Sequence, residues 1–150
     1  MSHPSFNRLN EGWNAEPNAP YPRVIASGTD ILVEFFLNPF QFQQFAPDDQ
    51  GIIRFLDCSR YRFGATNDEG WYLGQCRYSK IAPAWGEFYE IGGTDSRLDE
   101  PDDWKTVNEA SSASRHFLFY FRDDTFECIA SDWRFEPNST NALFQHFKAR

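Results

Sequence analysis

The chain has 150 residues, and 41% hydrophobic residues with sixteen Phe among them are enough for one domain with one sizeable core, which excludes a disordered chain. Aromatics at 18% favour pleated, half-covered sheet surfaces, so the composition leans towards β structure. Fourteen Lys and Arg against twenty-two Asp and Glu give a net charge of −8, which repels phosphate backbones and anionic membranes and disfavours general nucleic-acid binding.

Residues 1–22 carry Pro4, Pro17, Pro20 and Pro22 with Gly12 and four Asn, a composition that predicts an irregular arm lying across the body, pinned by Trp13. From Val24 to Leu37 apolar residues alternate around Gly28-Thr29-Asp30, predicting two strands or one bent strand. The runs 51–63 and 71–78, separated by the turn-rich GATNDEG, predict a hairpin. EFYEI at 87–91 predicts a short strand, followed by a long polar loop to Arg115.

The runs 116–121 and 125–135 flank Arg122-Asp123-Asp124 and predict a second hairpin with both faces partly covered. At the end, Pro137-Asn138-Ser139-Thr140 supplies capping groups before Ala142, Leu143, Phe144 and Phe147, which predicts a docked helix over 138–148. The expected fold is α+β, mostly antiparallel, with six or seven strands in a single domain spanning 1–150.

Signatures of catalysis are missing. There is no phosphate-binding Gly-Lys loop, dinucleotide fingerprint, nucleophile elbow or His-Glu zinc helix, and His3, His116 and His146 lie in three distant segments. Cys58, Cys76 and Cys128 are odd in number, widely spaced and set in apolar stretches, so they read as buried free thiols in a reducing compartment. No uncharged apolar segment approaches the ~20 residues a membrane span needs. The expectation is a cytoplasmic, non-enzymatic protein with no cofactor, no metal and no membrane partner.

Two constellations stand out. From Glu87 to Asp103 seven carboxylates, Glu87, Glu90, Asp95, Asp99, Glu100, Asp102 and Asp103, face Arg97 alone, a local charge of −6. Such a run either stays solvated or awaits a cationic partner, and Trp104 beside it supplies an apolar anchor. Asp68, Glu69 and Trp71 on the neighbouring predicted hairpin are a second choice for the same interface. The other constellation is basic and aromatic. Arg54, Arg60 and Arg62 fall in phase if the strand is unbroken, beside Tyr61, Phe63, Arg77 and Tyr78. Arg60, Tyr61, Arg62 and Tyr78 could stack single-stranded bases, or the arginines could pair across strands with Asp57, Asp68 and Glu69.

The block YRFGATNDEGWYLGQCRYSKIAPAWGEFYEI, followed by RHFLFYFRDDTFECIASDW, resembles small bacterial immunity proteins of contact-dependent growth inhibition systems, in particular those directed at EndoU-like ribonuclease toxins; the similarity spans residues 20–135. The resemblance implies a cytoplasmic antitoxin that binds the basic toxin domain of a delivered effector and blocks its RNA-cleaving site, on a fold similar to the Whirly class. The acidic run and Trp104 are assigned to that interface on charge and aromaticity, not on a family motif. Besides the single-strand binder, a protein with a small-ligand pocket between its sheets is the remaining alternative.

Overall fold

The computed structural model describes residues 5–64, 87–93, 104–121 and 124–138. They form ten strands: β1 (Ser5–Arg8), β2 (Arg23–Ser27), β3 (Asp30–Phe36), β4 (Gln50–Leu56), β5 (Arg60–Gly64), β6 (Phe88–Gly92), β7 (Lys105–Thr106), β8 (Arg115–Tyr120), β9 (Thr125–Ala130) and β10 (Asp132–Asn138). One antiparallel sheet has the order β1-β6-β8-β9-β5-β7 and the other β10-β4-β3-β2.

The described residues are therefore all β, and the α+β expectation is corrected: they contain no helix and ten strands rather than six or seven. Residues 139–150, where most of the expected helix falls, lie outside the described residues, while Pro137 and Asn138, read as its cap, are the last two residues of β10, paired with Gly51 and Gln50. No helix among the described residues is long and apolar enough to cross a membrane.

Local chemistry explains most elements. In β3 alternate residues Ile31, Val33 and Phe35 are buried, as a strand with one core face requires. Gly28, at φ +63°, shares with Thr29 the two-residue turn that closes the Ser27–Asp30 pair of the β2–β3 hairpin. The hairpin predicted over 116–135 forms between β8 and β9, with Tyr120 opposite Thr125.

Both long runs break where they pass from one sheet to the other. The run 51–63 divides at Asp57-Cys58-Ser59 into β4 and β5, and 125–135 divides at Ser131 into β9 and β10. The two crossings meet at Asp57, whose φ of +49° suits an Asp better than most non-glycine residues. Its carboxylate accepts from Ser131 Oγ at 3.0 Å and Asn108 Nδ2 at 3.3 Å, and its own N–H donates to Asp30 Oδ1 at 3.0 Å. The expected pairing of 51–63 with 71–78 falls on residues outside the described ones; β5 pairs with β9 and β7.

The core fills the space between the sheets with rings, among them Phe35, Phe55, Phe88, Phe117, Phe119 and Phe126. The N-terminal arm is more ordered than its composition predicts: Ser5–Arg8 pairs with β6, Ala15 bridges Leu37, and Trp13 is a core residue at 5% exposure. Its indole stacks on Phe135 at 4.0 Å between centroids and also meets Phe35, Phe88 and Phe119, so it joins both sheets. Cys58 and Cys128 are buried free thiols, and burial pushes the Cys128 thiol well above its ordinary value.

Candidate protein-binding site

Of the acidic interface expected from the sequence, the described residues include Glu87, Glu90 and Trp104. Glu87 is taken up by the arm: Asn10 Nδ2 donates to Oε2 and Asn14 Nδ2 to Oε1 at 3.4 Å, while Asn10 also donates to the Trp13 carbonyl at 2.8 Å. Glu87 therefore helps to seat Trp13. Glu90 lies opposite Phe117 on β6 and receives both Nε and Nη2 of Arg115, at 2.9 and 2.8 Å. The hydrogen bonds from Arg115 outweigh burial and hold the Glu90 carboxyl below the usual carboxylate range, and Glu90 in turn raises the guanidinium.

Trp104 is half-buried, with the guanidinium carbons of Arg60 and Arg62 at 4.4 and 4.2 Å from its ring centroid, so its face is already engaged by cations. Asp68, Glu69, Trp71, Asp95, Asp99, Glu100, Asp102 and Asp103 lie outside the described residues. The three interface residues that are described thus sit in three separate intramolecular arrangements.

The basic constellation is corrected at Arg54. Arg60 and Arg62 do share a face of β5, but the chain turns at Asp57, so Arg54 belongs to the other sheet, where it donates to Asp30 at 2.9 Å. Tyr61 faces the core and packs against Phe126, on the side opposite the arginines, and Tyr78 lies outside the described residues. Arg62 is buried and donates Nε and Nη2 to Glu127 at 3.2 and 3.3 Å, and the same carboxylate lies 2.6 Å from His116 Nε2. Cross-strand pairing is realised among the described residues, Arg62 with Glu127 of the neighbouring β9 and Arg54 with Asp30 of β3, while Asp68 and Glu69 lie outside the described residues.

A different surface carries the features of a binding site. Tyr21 and Phe40 are the most exposed large hydrophobics among the described residues, at 70% and 72%, and both line a groove of about 160 Å³ with Glu16, Phe36, Leu37 and Asp48. Backbone hydrogen bonds between the arm and the end of β3 build it: Glu16 N donates to Phe36 O and Phe36 N to Pro20 O, each at 2.9 Å. Pro22 disfavours helical geometry at Tyr21, yet Tyr21 is held at φ +41°, a left-handed conformation uncommon for a bulky residue. Its ring meets Phe36 edge-on at 6.1 Å and still presents most of its surface to solvent. Asp48, also in the lining, has φ +73°.

These residues were not singled out in the sequence. The available signal was local: Pro20-Tyr21-Pro22 and Pro39-Phe40 place aromatics next to prolines in irregular segments, where no regular face exists to bury them. No family model, curated protein or solved structure matches the chain.

Proposed function

We propose that this protein is a non-catalytic immunity protein that binds the basic, RNA-cleaving domain of a bacterial effector and excludes its substrate, and that it does so through the groove rather than through Glu87, Glu90 and Trp104. The observation that carries this reading is the pair of solvent-exposed rings, Tyr21 and Phe40, on a groove walled by Glu16 and Asp48. Aromatic side chains are the residues on which interface energy concentrates, and an acidic rim steers a cationic partner. The net charge of −8 extends the same steering over the whole molecule. The resemblance over residues 20–135 supplies the class of partner.

The test is protection. The chain is coproduced in a sensitive host with an EndoU-like ribonuclease toxin domain, and survivors are counted while affinity is measured by calorimetry. Wild type is expected to protect, Tyr21→Ala with Phe40→Ala to weaken binding by about tenfold or more, and Glu90→Gln to bind as wild type does. Failure of wild type to protect, with retention of labelled single-stranded oligonucleotides instead, overturns the proposal in favour of a nucleic-acid binder.

A further inference from the structure

An apolar cavity of about 150 Å³ accommodates a single benzene ring, and the groove between the arm and residues 36–48, at about 160 Å³, matches that size. It is smaller than the several-hundred-Å³ clefts that hold cofactors and drug-sized ligands. Its lining is mostly apolar and includes the buried Leu37, the partly buried Phe36 and the solvent-exposed rings of Tyr21 and Phe40. The two charged residues among its described lining, Glu16 and Asp48, are both acids. Glu16 is fixed in place, because its carboxylate accepts from the backbone N–H groups of Asn18 at 2.9 Å and Ala19 at 2.7 Å.

A single-ring slot with aromatic sides and an acidic rim recognises one chemistry. We infer that the groove takes one aromatic side chain of the partner, a Phe, Tyr or Trp flanked by Lys or Arg, the ring entering between Tyr21 and Phe40 while the cation meets Asp48 and Glu16. The identity of the partner rests on the immunity reading above; the chemistry of the occupant rests on the groove itself. Ring burial supplies the attraction and the carboxylates supply the discrimination against acidic sequences.

The experiment titrates the full chain with three blocked tripeptides, Lys-Phe-Lys, Lys-Ala-Lys and Glu-Phe-Glu, following the methyl resonances of Ala19 and Leu37 by NMR. Lys-Phe-Lys is expected to shift both signals with a Kd on the order of 1 mM, Glu-Phe-Glu to bind about fivefold more weakly at low salt, and Lys-Ala-Lys to leave them unmoved. Added salt should close the gap between the two Phe peptides. Asp48→Asn, which keeps a residue tolerant of positive φ, should narrow the same gap without abolishing the shifts. Equal binding of Lys-Phe-Lys and Glu-Phe-Glu, or shifts that bypass Ala19 and Leu37, overturns the inference. So does cell protection that survives Tyr21→Ala with Phe40→Ala after that variant has lost the peptide. Selective peptide binding without protection by wild type removes the immunity reading and leaves the occupant of the groove as inferred.

Discussion

On the outer face of the six-stranded sheet Tyr89, His116, Leu118 and Tyr120 are all buried, whereas the matching face of the four-stranded sheet leaves Arg23, Ile25, Arg134 and Glu136 in solvent. Both faces follow the same period of two, and both carry charge. In the buried face polar groups had to find partners, so Arg62 and His116 converge on the Glu127 carboxylate. In the open face an ion pair such as Arg23 with Glu34, at 2.8 Å but 69% exposed on the Arg side, is a surface contact of small net value. Burial, not residue type, sets the energetic weight of a charge here, and among the described residues it leaves the exposed rings of Tyr21 in the arm and Phe40 after β3 as surface available to a partner.

Four sets of substitutions test this contrast. The largest effect is expected where the two sheets meet: Trp13→Ala removes the ring that touches Phe35, Phe88, Phe119 and Phe135 and should cost about 3–5 kcal/mol, read as a fall in the urea midpoint. A loss under about 1 kcal/mol would return Trp13 to a peripheral arm.

Next, Glu127→Ala leaves Arg62 and His116 buried without their shared carboxylate and should cost about 3 kcal/mol, whereas Glu34→Ala on the open face should cost under about 1 kcal/mol. Equal losses in chemical denaturation would erase the distinction between the faces. A double replacement of Arg62 and Glu127 by apolar residues should recover much of the first loss, because the desolvation cost goes with the charges.

A smaller contrast comes from two glycines. A Cβ at Gly51 would lie 2.6 Å from the Phe135 ring, itself stacked on Trp13, so Gly51→Ala should cost about 1–3 kcal/mol, while one at Gly64 meets nothing within 4 Å. Gly64→Ala should be neutral or stabilising by about 0.5 kcal/mol, and thermal melts of the two variants are compared directly.

The smallest effect is a pH dependence at the rim of the six-stranded sheet. Arg115 depresses the folded pKa of Glu90 below its ordinary value of 4.5, so the stabilisation from this pair is present above that value and is lost as pH falls through the lower, folded pKa. The Arg115 side chain is 37% exposed, so solvent screening keeps the contribution under about 1 kcal/mol. Glu90→Gln should flatten stability measured between pH 5 and about pH 3, and an unchanged acid limb would show that the pair contributes nothing.

The run RHFLFYF announces a strand covered on both faces, because apolar side chains fall on both phases of the alternation, and the structure buries both. The Gly28 turn was equally legible, since positive φ at a tight hairpin selects glycine. The corner at Asp57 was not. Phe55, Tyr61 and Phe63 keep the same parity on either side of it, so the hydrophobic pattern runs on while the chain changes sheets. At Ser131 the core phase does shift, from Phe126 and Cys128 to Trp133 and Phe135, but a one-residue shift also reads as a bulge. The candidate site was hidden for a related reason: charge density is visible along a chain, whereas the pairing of Glu87 with Asn10 and of Glu90 with Arg115 joins segments far apart in sequence.

By itself the sequence determined a β-rich core, its main strands and turns, and an acidic whole, because side-chain alternation, turn conformation and formal charge are local or additive properties. Only the tertiary structure decided which strands share a sheet, that Trp13 belongs to the core, that Glu87, Glu90 and Trp104 have partners within the chain, and that Tyr21 and Phe40 stand in solvent. Those outcomes turn on which distant segments come together, and burial, the quantity that gives each charge and ring its weight, exists only once they have.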